Sequence, residues 1–526
     1  MKREEAMKVQ EHLTRELVIG ELVAKNARKY PEKFALKMGD HSLTYSQWNL
    51  RVNKLANSFS EAGIRHGDKV ALLLYNSIEF MDCCYALAKL GAVSVPVNFR
   101  LVGSEIAYVV DNSDSVALVF DQSFEKVIDS VKDQMPQLKH FIEVPGPIEV
   151  PYALSFNELL SGGSEEEPYV MVSDNEPAVI MYTAGTTGKP KGAVLTHKNL
   201  VITALCALIE RYQYSEKIYL NVAPLFHTAA FVGALRTIIR GGTVVIHRQY
   251  DPLDVLETIE KEKVSYTTMV PAMWKTLLEV PNLEAYDLSS LKVITTGGAP
   301  MSLDMKNKVL KLLPGVKLHD QFGQTEMSPT TTTLKPEDNL RKTDSVGKPI
   351  VGVEARVVDE EDNDVPVGQV GEIIYRGPGM LQGYYNDPDA TKKAIVDGWF
   401  HSGDLVRMDE EGFVYVVGRK KDMIISGGEN VYPAEVEEVL LRHEKILETA
   451  VIGIPSEKWG ESVHAVVCPK AGETIIPEEI INYCATNMAG YKKPKSVAIM
   501  ESLPRNAAGK VLKFKLRETY SRPAQS

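Results

Sequence analysis

The chain of 526 residues predicts a layered α/β protein that carries a smaller α+β domain at its C-terminal end. Three observations predict it. Apolar strand-like runs alternate with amphipathic helical runs from Lys25 to about Asn175, and again from Ile218 to Thr296. From Ser345 the period changes to short strands joined by turns. Beyond Gly418 follows a compact α+β stretch of about 100 residues, an ordinary size for a domain. Alternation of the first kind calls for a largely parallel sheet covered by helices. The second calls for a small antiparallel, β-barrel-like subdomain. A chain of this length exceeds one hydrophobic core, and the expected division is 1–418, a hinge at 419–422, and 423–526.

In the first part Val70 to Tyr75, Ala92 to Val97 and Val116 to Phe120 read as strands. Leu50 to Ala62, Ile78 to Leu90 and Val102 to Asp111 read as helices. The segment Pro145 to Glu167 is rich in Pro, Gly, Ser and Glu and reads as a surface connection. Ala178 to Met181 is a buried strand. Ile218 to Val222, Thr243 to His247, Tyr266 to Val270 and Val293 to Thr296 are further strands. Polar clusters stand at strand ends: Pro224 to His227, Thr295 to Pro300, and His319 to Glu326 following Val316-Lys317-Leu318. Ligands of open α/β sheets sit at the carboxyl ends of strands, so these clusters converge on one crevice. Val351 to Asp359 and Val370 to Gly377 are strands of the antiparallel subdomain. In the last domain Pro433 to Arg442 and Pro477 to Met488 are helices, with strands at Thr449 to Ile454 and His464 to Pro469.

Composition excludes several classes. A net charge of −11 argues against a general nucleic-acid binder, which carries a basic excess. No apolar run approaches the ~20 residues of a membrane helix, and the N-terminus, with Glu4, Glu5 and Glu11 among its lysines, lacks the apolar core of a secretory signal. Cys83, Cys84, Cys206, Cys468 and Cys484 form no metal pattern and read as buried thiols. A cytoplasmic enzyme is the expectation.

The stretch Met181 to Val194 carries the densest chemistry. Thr183 to Lys191 holds three hydroxyls, two glycines and two lysines, groups that can converge on a phosphate chain. Glycine permits close approach there. It is not a Walker A loop, which needs four residues between its glycines and Ser or Thr after the lysine. Only Thr186 and Thr187 separate Gly185 from Gly188, and Pro190 follows Lys189. Pro190 and Gly192 also interrupt any helix starting there.

With this loop, Phe322-Gly-Gln-Thr-Glu326, Gly371-Glu-Ile373, Ser402-Gly-Asp404, Gly418-Arg-Lys-Lys-Asp422, Gly427-Gly-Glu-Asn430 and Pro504 to Lys510 follow in set order. The set resembles the adenylate-forming superfamily: acyl- and aryl-CoA synthetases, firefly luciferase and the adenylation domains of peptide synthetases. The resemblance spans about Val18 to Lys513. It implies two half-reactions using ATP, Mg²⁺ and coenzyme A. A carboxylate attacks the α-phosphate to give acyl-AMP and pyrophosphate; a thiol then takes the acyl group. Both steps concentrate negative charge, so positioning and electrostatic stabilisation dominate.

The resemblance implies roles position by position. Thr183, Ala184, Gly185, Thr186, Thr187, Gly188 and Lys191 hold the β- and γ-phosphates. Ala184 stands where relatives carry Ser, a loss of about 1 kcal/mol if that bond is made. Gly298, Ala299 and Pro300 floor the adenine site, and Phe322, flanked by Gln321 and Gly323, stacks on the ring. Asp320 is a candidate acceptor for the adenine amino group. Thr325 and Glu326 face the α-phosphate, Glu326 as the Mg²⁺ ligand. Asp404 accepts the ribose hydroxyls with help from Arg419. Lys510 bridges carboxylate and α-phosphate. Lys421 is the hinge about which the C-terminal domain turns, presenting Gly427 and Gly428 for thioester formation.

For coenzyme A the tentative contacts are Arg100, Trp459 and Lys492-Lys493; with no carrier domain following Ser526, a carrier-protein acceptor is disfavoured. His227 stands at the mouth of an acyl pocket lined by Thr228 to Phe231, Gly233, Ala234, Gly297 and Gly298. No Asp is present there to pair an amino group. The pocket therefore suits an apolar acid, with a medium- or long-chain fatty acid favoured because Ile374 replaces the cysteine of plant hydroxycinnamate ligases. An aryl acid is the alternative, as is an adenylating enzyme or luciferase-type monooxygenase that does not use coenzyme A. A non-catalytic regulator would be expected to lose Lys510 or Glu326. The sequence leaves a homodimer open.

Overall fold

The computed structural model describes residues 17–144, 150–183, 189–210, 218–426, 429–456, 458–505 and 511–521. Its contacts divide the chain into two units, one of residues 1–355 and 375–400, the other of 356–374 and 401–526. This division runs elsewhere than the expected hinge at 419–422.

The first unit contains two large mixed sheets. In chain order the strands are β1 (Phe34–Met38), β2 (His41–Thr44), β3 (Lys69–Leu73), β4 (Val93–Pro96), β5 (Ser115–Asp121), β6 (His140–Val144), β7 (Ala153–Ser155) and β8 (Pro177–Thr183). There follow β9 (Lys191–Thr196), β10 (Ile218–Asn221), β11 (Thr243–Ile246), β12 (Tyr266–Thr268), β13 (Val293–Gly297), β14 (Lys317–Gly323), β15 (Thr330–Leu334) and β16 (Lys348–Pro349). One sheet has the order β9-β8-β4-β3-β5-β6-β7, with the two-residue strand Gly383–Tyr384 on the free edge of β9. The other runs β16-β15-β14-β13-β12-β10-β11-β1-β2. The predicted parallel strands form both interiors: β8 to β7 through β4, β3, β5 and β6, and β14 through β13, β12, β10 and β11 to β1. Antiparallel hairpins close the edges, at β1–β2, at β14–β15–β16 and at β8–β9.

Helices pack on these sheets because their sequences stop and start them cleanly. The helix Ile78–Leu90 is capped by Ser77, whose hydroxyl accepts from Phe80 N, and ends at Gly91 with φ +68°, a left-handed C-cap that glycine adopts without strain. All its residues except Glu79 are buried, which is why the sequence there reads as one apolar run. The helix predicted from Leu50 starts earlier, at Tyr45, because Thr44 and Gln47 form a reciprocal capping box. The apolar core of the first sheet gathers residues from β3, β4 and β5 with Ile106, Val110 and Ile128. That of the second gathers Val255, Ile259, Trp274 and Val309 under β10 and β13.

Two sequence expectations need correction. Pro145 to Glu167 is more than a surface connection: β7 and the helix Phe156–Gly162 lie within it, Phe156 fully buried and Ser155 capping the helix through Glu158 N. Glu167 then pairs with the buried ammonium of Lys89. The cluster His319 to Glu326 does not follow a strand, since β14 runs through Gly323.

The second unit holds most of a curled antiparallel half-barrel sheet and the C-terminal α+β module. Strands Trp399–Met408 and Val414–Arg419 form its central hairpin. In the module, the long hairpin Ile446–Ser456 and Gly460–Pro469 is flanked by helices Pro433–Leu441 and Pro477–Asn487. The first of these helices also packs on Val414–Arg419. Among the described residues no helix is long and apolar enough to cross a membrane.

Candidate functional site

The phosphate-loop candidate joins two paired strands, β8 and β9. β8 and β9 pair antiparallel down to Thr183↔Lys191, so the chain returns as a strand and not as the helix of a Walker A loop. Pro190 offers no N–H, and Gly192 has no room for a side chain: a Cβ there would meet Ile180 Cγ2 at 2.7 Å. Ala184, Gly185, Thr186, Thr187 and Gly188 lie outside the described residues. Both lysines at the hairpin's return face aromatic rings: Lys189 Nζ stands 5.2 Å from the Tyr108 centroid and half-buried Lys191 Nζ 5.3 Å from that of Tyr384.

Glu326 is where distant segments meet. It sits in the short helical turn Thr325–Met327 just past β14. Its Oε1 accepts from the Tyr384 hydroxyl at 2.9 Å and lies 3.4 Å from Thr183 Oγ1. Its backbone carbonyl accepts from Leu381 N at 2.7 Å. Gly379 makes that approach possible, since a Cβ there would stand 2.3 Å from Thr203 Oγ1 and 3.0 Å from Met327 O. Thr325 Oγ1 is 3.2 Å from Thr228 Oγ1, which starts the helix Thr228–Ile239. Thus Thr183, Thr228, Thr325, Glu326 and Tyr384 form one connected polar group.

Beside it lies an open shelf. Register pairs Gly297 with Gln321 across β13 and β14, setting Gly298, Ala299 and Pro300, all exposed, next to half-buried Gln321 and Phe322. Gly298 has φ +78°, and a Cβ on Gly297 would meet Gln321 O at 2.4 Å. At Gly323 one would collide with Pro329 O at 1.9 Å. Asp320, the candidate adenine acceptor, also pairs with a buried lysine. Its Oδ2 is 3.1 Å from the fully buried Lys306 Nζ, which also donates to Thr343 O at 3.0 Å. Burial raises the Asp320 carboxyl above its usual range, with Lys306 opposing.

His227 is exposed, its ring 4.4 Å from that of Phe226. Surrounding protein and then the Arg100 charge push its pKa down to about 4; solvent at its exposed face weakens that drop, and either way the imidazole is neutral at pH 7. The turn carrying it is fastened by Asn76, a residue the sequence reading missed. Buried Asn76 donates to Ala223 O and His247 O, both at 3.0 Å, and accepts from Leu225 N at 2.7 Å. Tyr384 was also missed. Its signal was faint: a Gly-Tyr pair far downstream, brought back by pairing Gly383↔Val194 and Tyr384↔Ala193. A recess of about 1150 Å³ lies elsewhere in the first unit, between the β1–β2 hairpin and residues 245–262. It shares no residue with this group.

In the second unit Asp404 and Arg419 are register partners. Arg419 Nε is 2.7 Å from Asp404 Oδ1, and an Arg419 guanidinium N–H donates to Ser402 O at 3.1 Å. Glu372 accepts from Gly403 N at 2.9 Å and pairs with Lys420 at 3.1 Å. Burial alone would raise the Glu372 carboxyl, but these partners bring it below its usual value. Lys421 is exposed on the turn Lys420–Asp422. Trp459 is 39 % exposed at the tip of the long hairpin, with Lys458 and Lys495 ammoniums 4.7 and 5.9 Å from its ring. Lys492, a candidate phosphate contact, pairs with Glu435 at 2.5 Å. Gly427, Gly428 and Lys510 lie outside the described residues.

The chain is similar to proteins of one known family along most of its length. The family model described as AMP-binding enzyme matches residues 23–385, and that of the AMP-binding enzyme C-terminal domain residues 435–510. A feruloyl-CoA synthase of Amycolatopsis sp is 36% identical over 95% of this chain and 99% of its own length. A long-chain-fatty-acid–CoA ligase of Mycobacterium tuberculosis is 36% identical over 92% of this chain and 94% of its own. Among solved structures, a Mycobacterium tuberculosis fatty acyl CoA synthetase superposes with TM-score 0.79 at 34% identity, covering 96% and 98% of the two chains. An o-succinylbenzoate coenzyme A synthetase of Bacillus subtilis, in complex with ATP and magnesium ion, gives 0.83 at 30% identity over 94% and 99%.

Proposed function

Because the chain belongs to the AMP-binding enzyme family, we propose that it is an AMP-forming acid–thiol ligase that joins a carboxylic acid to coenzyme A. The acid's carboxylate oxygen attacks the α-phosphorus of ATP and pyrophosphate leaves. The thiol of coenzyme A then attacks the acyl carbon and AMP leaves. The observation that carries this reading is that Thr183 and Tyr384 meet the Glu326 carboxylate, with Lys191 over the Tyr384 ring, three separate segments joined beside a glycine shelf.

That carboxylate also fits Mg²⁺. Among the described residues no cluster of three or more His, Cys, Asp or Glu could cage a metal. Mg²⁺ is commonly held by one or two carboxylates with phosphate and water oxygens completing its shell, and Glu326 with neighbouring hydroxyls suits that mode. Bound there, the ion would neutralise phosphate oxygens. Lys191 and the Thr183 hydroxyl meet the β- and γ-phosphates. Phe322 covers the adenine against Gly298, Ala299 and Pro300. Thr325 faces the α-phosphate, and Lys510 bridges it to the attacking carboxylate as charge develops. In the second unit Asp404 takes the ribose hydroxyls and Arg419 fixes its orientation. Trp459, ringed by Lys458 and Lys495, suits the nucleotide of coenzyme A by stacking and charge; Arg100, Gly427 and Gly428 are further contacts. Neutral His227 puts no charge against the acid at the pocket mouth.

The acid is apolar, since no acidic side chain stands among Thr228 to Ala234 to pair an ammonium. The motif reading favours a medium- or long-chain fatty acid over an aryl acid; relatives named for both exist. The test is acid-dependent exchange of pyrophosphate into ATP without coenzyme A, and thioester formation on adding it. Exchange that needs coenzyme A, or thioester formation from amino acids alone, would overturn the reading.

A further inference from the structure

The helix Thr228–Ile239 enters the site at Thr228 and then runs down one face of the second sheet. Its sheet-facing ladder is Ala229, Gly233 and Arg236, one turn apart each. Ala229, at the top, is exposed. Gly233 is pressed on Tyr219, since a Cβ there would stand 2.7 Å from the phenol oxygen. Arg236 lies 4.9 Å over the Tyr266 ring and donates to its hydroxyl. Register puts Tyr219 opposite Tyr266 and Tyr266 opposite Val293. The same sheet face therefore carries Tyr219 and Asn221, Tyr266 and Thr268, and Thr295 and Gly297.

The slot between helix and sheet thus begins small and ends blocked. At its mouth stand Ala229, Gly297 and Gly298, none with a side chain larger than a methyl group. Deeper, the rings of Tyr219 and Tyr266 stack with centroids 4.8 Å apart and 22° between planes. Both tyrosines are 1% exposed and Arg236 5%. Their phenols point up toward the mouth: Tyr266 Oη is 2.5 Å from Thr268 Oγ1 and 3.4 Å from Thr295 Oγ1, and Tyr219 Oη is 3.3 Å from Asn221 Oδ1. The blockade reaches the level of Thr295, two residues below Gly297, or about 7 Å along the strand. A long alkyl chain would have to displace two stacked aromatics, a buried guanidinium and their hydrogen bonds.

We infer that Tyr219, Tyr266 and Arg236 form a fixed floor that restricts the enzyme to compact acids, short-chain or single-ring, and excludes long-chain fatty acids. This rests on the ligase reading and narrows its acid away from the longer chains expected from the motifs. An apolar tail would find no room beyond the floor, while a flat ring or short chain ends above it. Overpacking of this kind converts into specificity rather than into lost chemistry, because the carboxylate end of the site is untouched.

The test is pyrophosphate release by the wild-type enzyme with butyrate, hexanoate, benzoate, cinnamate, laurate and palmitate, each with coenzyme A. The expected result is activity with one or more of the first four and kcat/KM at least about a hundredfold lower for laurate and palmitate. Tyr266→Ala should raise laurate relative to hexanoate, whereas Tyr266→Phe, which keeps the ring, should not. Palmitate or laurate as the best wild-type substrate would overturn this inference and leave the ligase reading standing. Pyrophosphate release indifferent to every acid would overturn both. The wild-type panel decides even if Tyr266→Ala fails to fold.

Discussion

Replacing Lys306 by Met removes the ammonium that holds Asp320 beneath the nucleotide shelf. The side chains are 0% and 11% exposed, so the figure of about 0–1 kcal/mol for surface pairs does not apply. Removing one partner of a buried pair costs about 3–5 kcal/mol, because the other charge is left uncompensated. That is a large share of the ~5–15 kcal/mol that holds a typical fold. Asp320→Asn in the Lys306→Met background should restore most of the loss, since both charges are then gone. The deficit of the single variant should also shrink as pH falls. Burial raises the folded pKa of Asp320 above its unfolded value and Lys306 holds it down; without Lys306 it rises further, and protonation at lower pH relieves the buried charge. Guanidinium denaturation followed by tryptophan fluorescence reads this, because Trp48 and Trp274 are buried in the first unit. A loss below about 1 kcal/mol, or a double variant no better than the single, would refute the reasoning.

Tyr384→Phe deletes the hydroxyl at 2.9 Å from Glu326 but keeps the ring over which Lys191 sits; KM for ATP should rise about three- to tenfold, the worth of one hydrogen bond, with KM for the acid unchanged. An unaltered ATP titration, read also as equilibrium nucleotide binding, would remove Tyr384 from the site. Lys510→Ala should abolish acyl-AMP formation while leaving thiolysis of supplied acyl-AMP largely intact; equal loss of both half-reactions contradicts its assignment. Asp82 is fully buried against Arg51 and Trp48, and burial, opposed by Arg51, raises its pKa from 3.8 to about 6. Its contribution to stability is therefore full below about pH 4 and lost as pH rises through about 6. Relative to Asp82→Asn, the wild type should lose at most about 3 kcal/mol as pH rises through that window; parallel stability–pH curves would show the shift is absent.

The fold class was legible because strand and helix periods differ and most elements here keep one period. Ile78–Leu90 was readable to the residue, since Ser77 and Gly91 punctuate it. Its neighbour's start was misread because the capping box at Thr44 outweighs the hydrophobic period. Pro145 to Glu167 hid a short strand and helix inside loop-like composition. Family resemblance and cofactor use were legible from motif order. What was hidden depends on long-range pairing: Tyr384 reaches Glu326 only because Gly383–Tyr384 adds to β9, and Asn76 reaches Ala223 and His247 across three strand ends. The partner that takes the charge of Asp320, Lys306, is likewise set by how a helix packs on β14. The depth of the acyl slot is of the same kind. Thr228 to Ala234 reads as small or apolar and sets no depth, whereas the floor is set by Tyr219 and Tyr266 from two other strands.

The central claim is that the acid is activated on the α-phosphate of ATP. The most direct measurement uses a carboxylic acid labelled with heavy oxygen in its carboxylate, with ATP and coenzyme A, and mass analysis of the products. Attack on the α-phosphorus leaves one labelled oxygen in AMP, because thiolysis breaks the bond between acyl carbon and that oxygen. The account predicts labelled AMP and unlabelled pyrophosphate. Label in inorganic phosphate alongside ADP would contradict it.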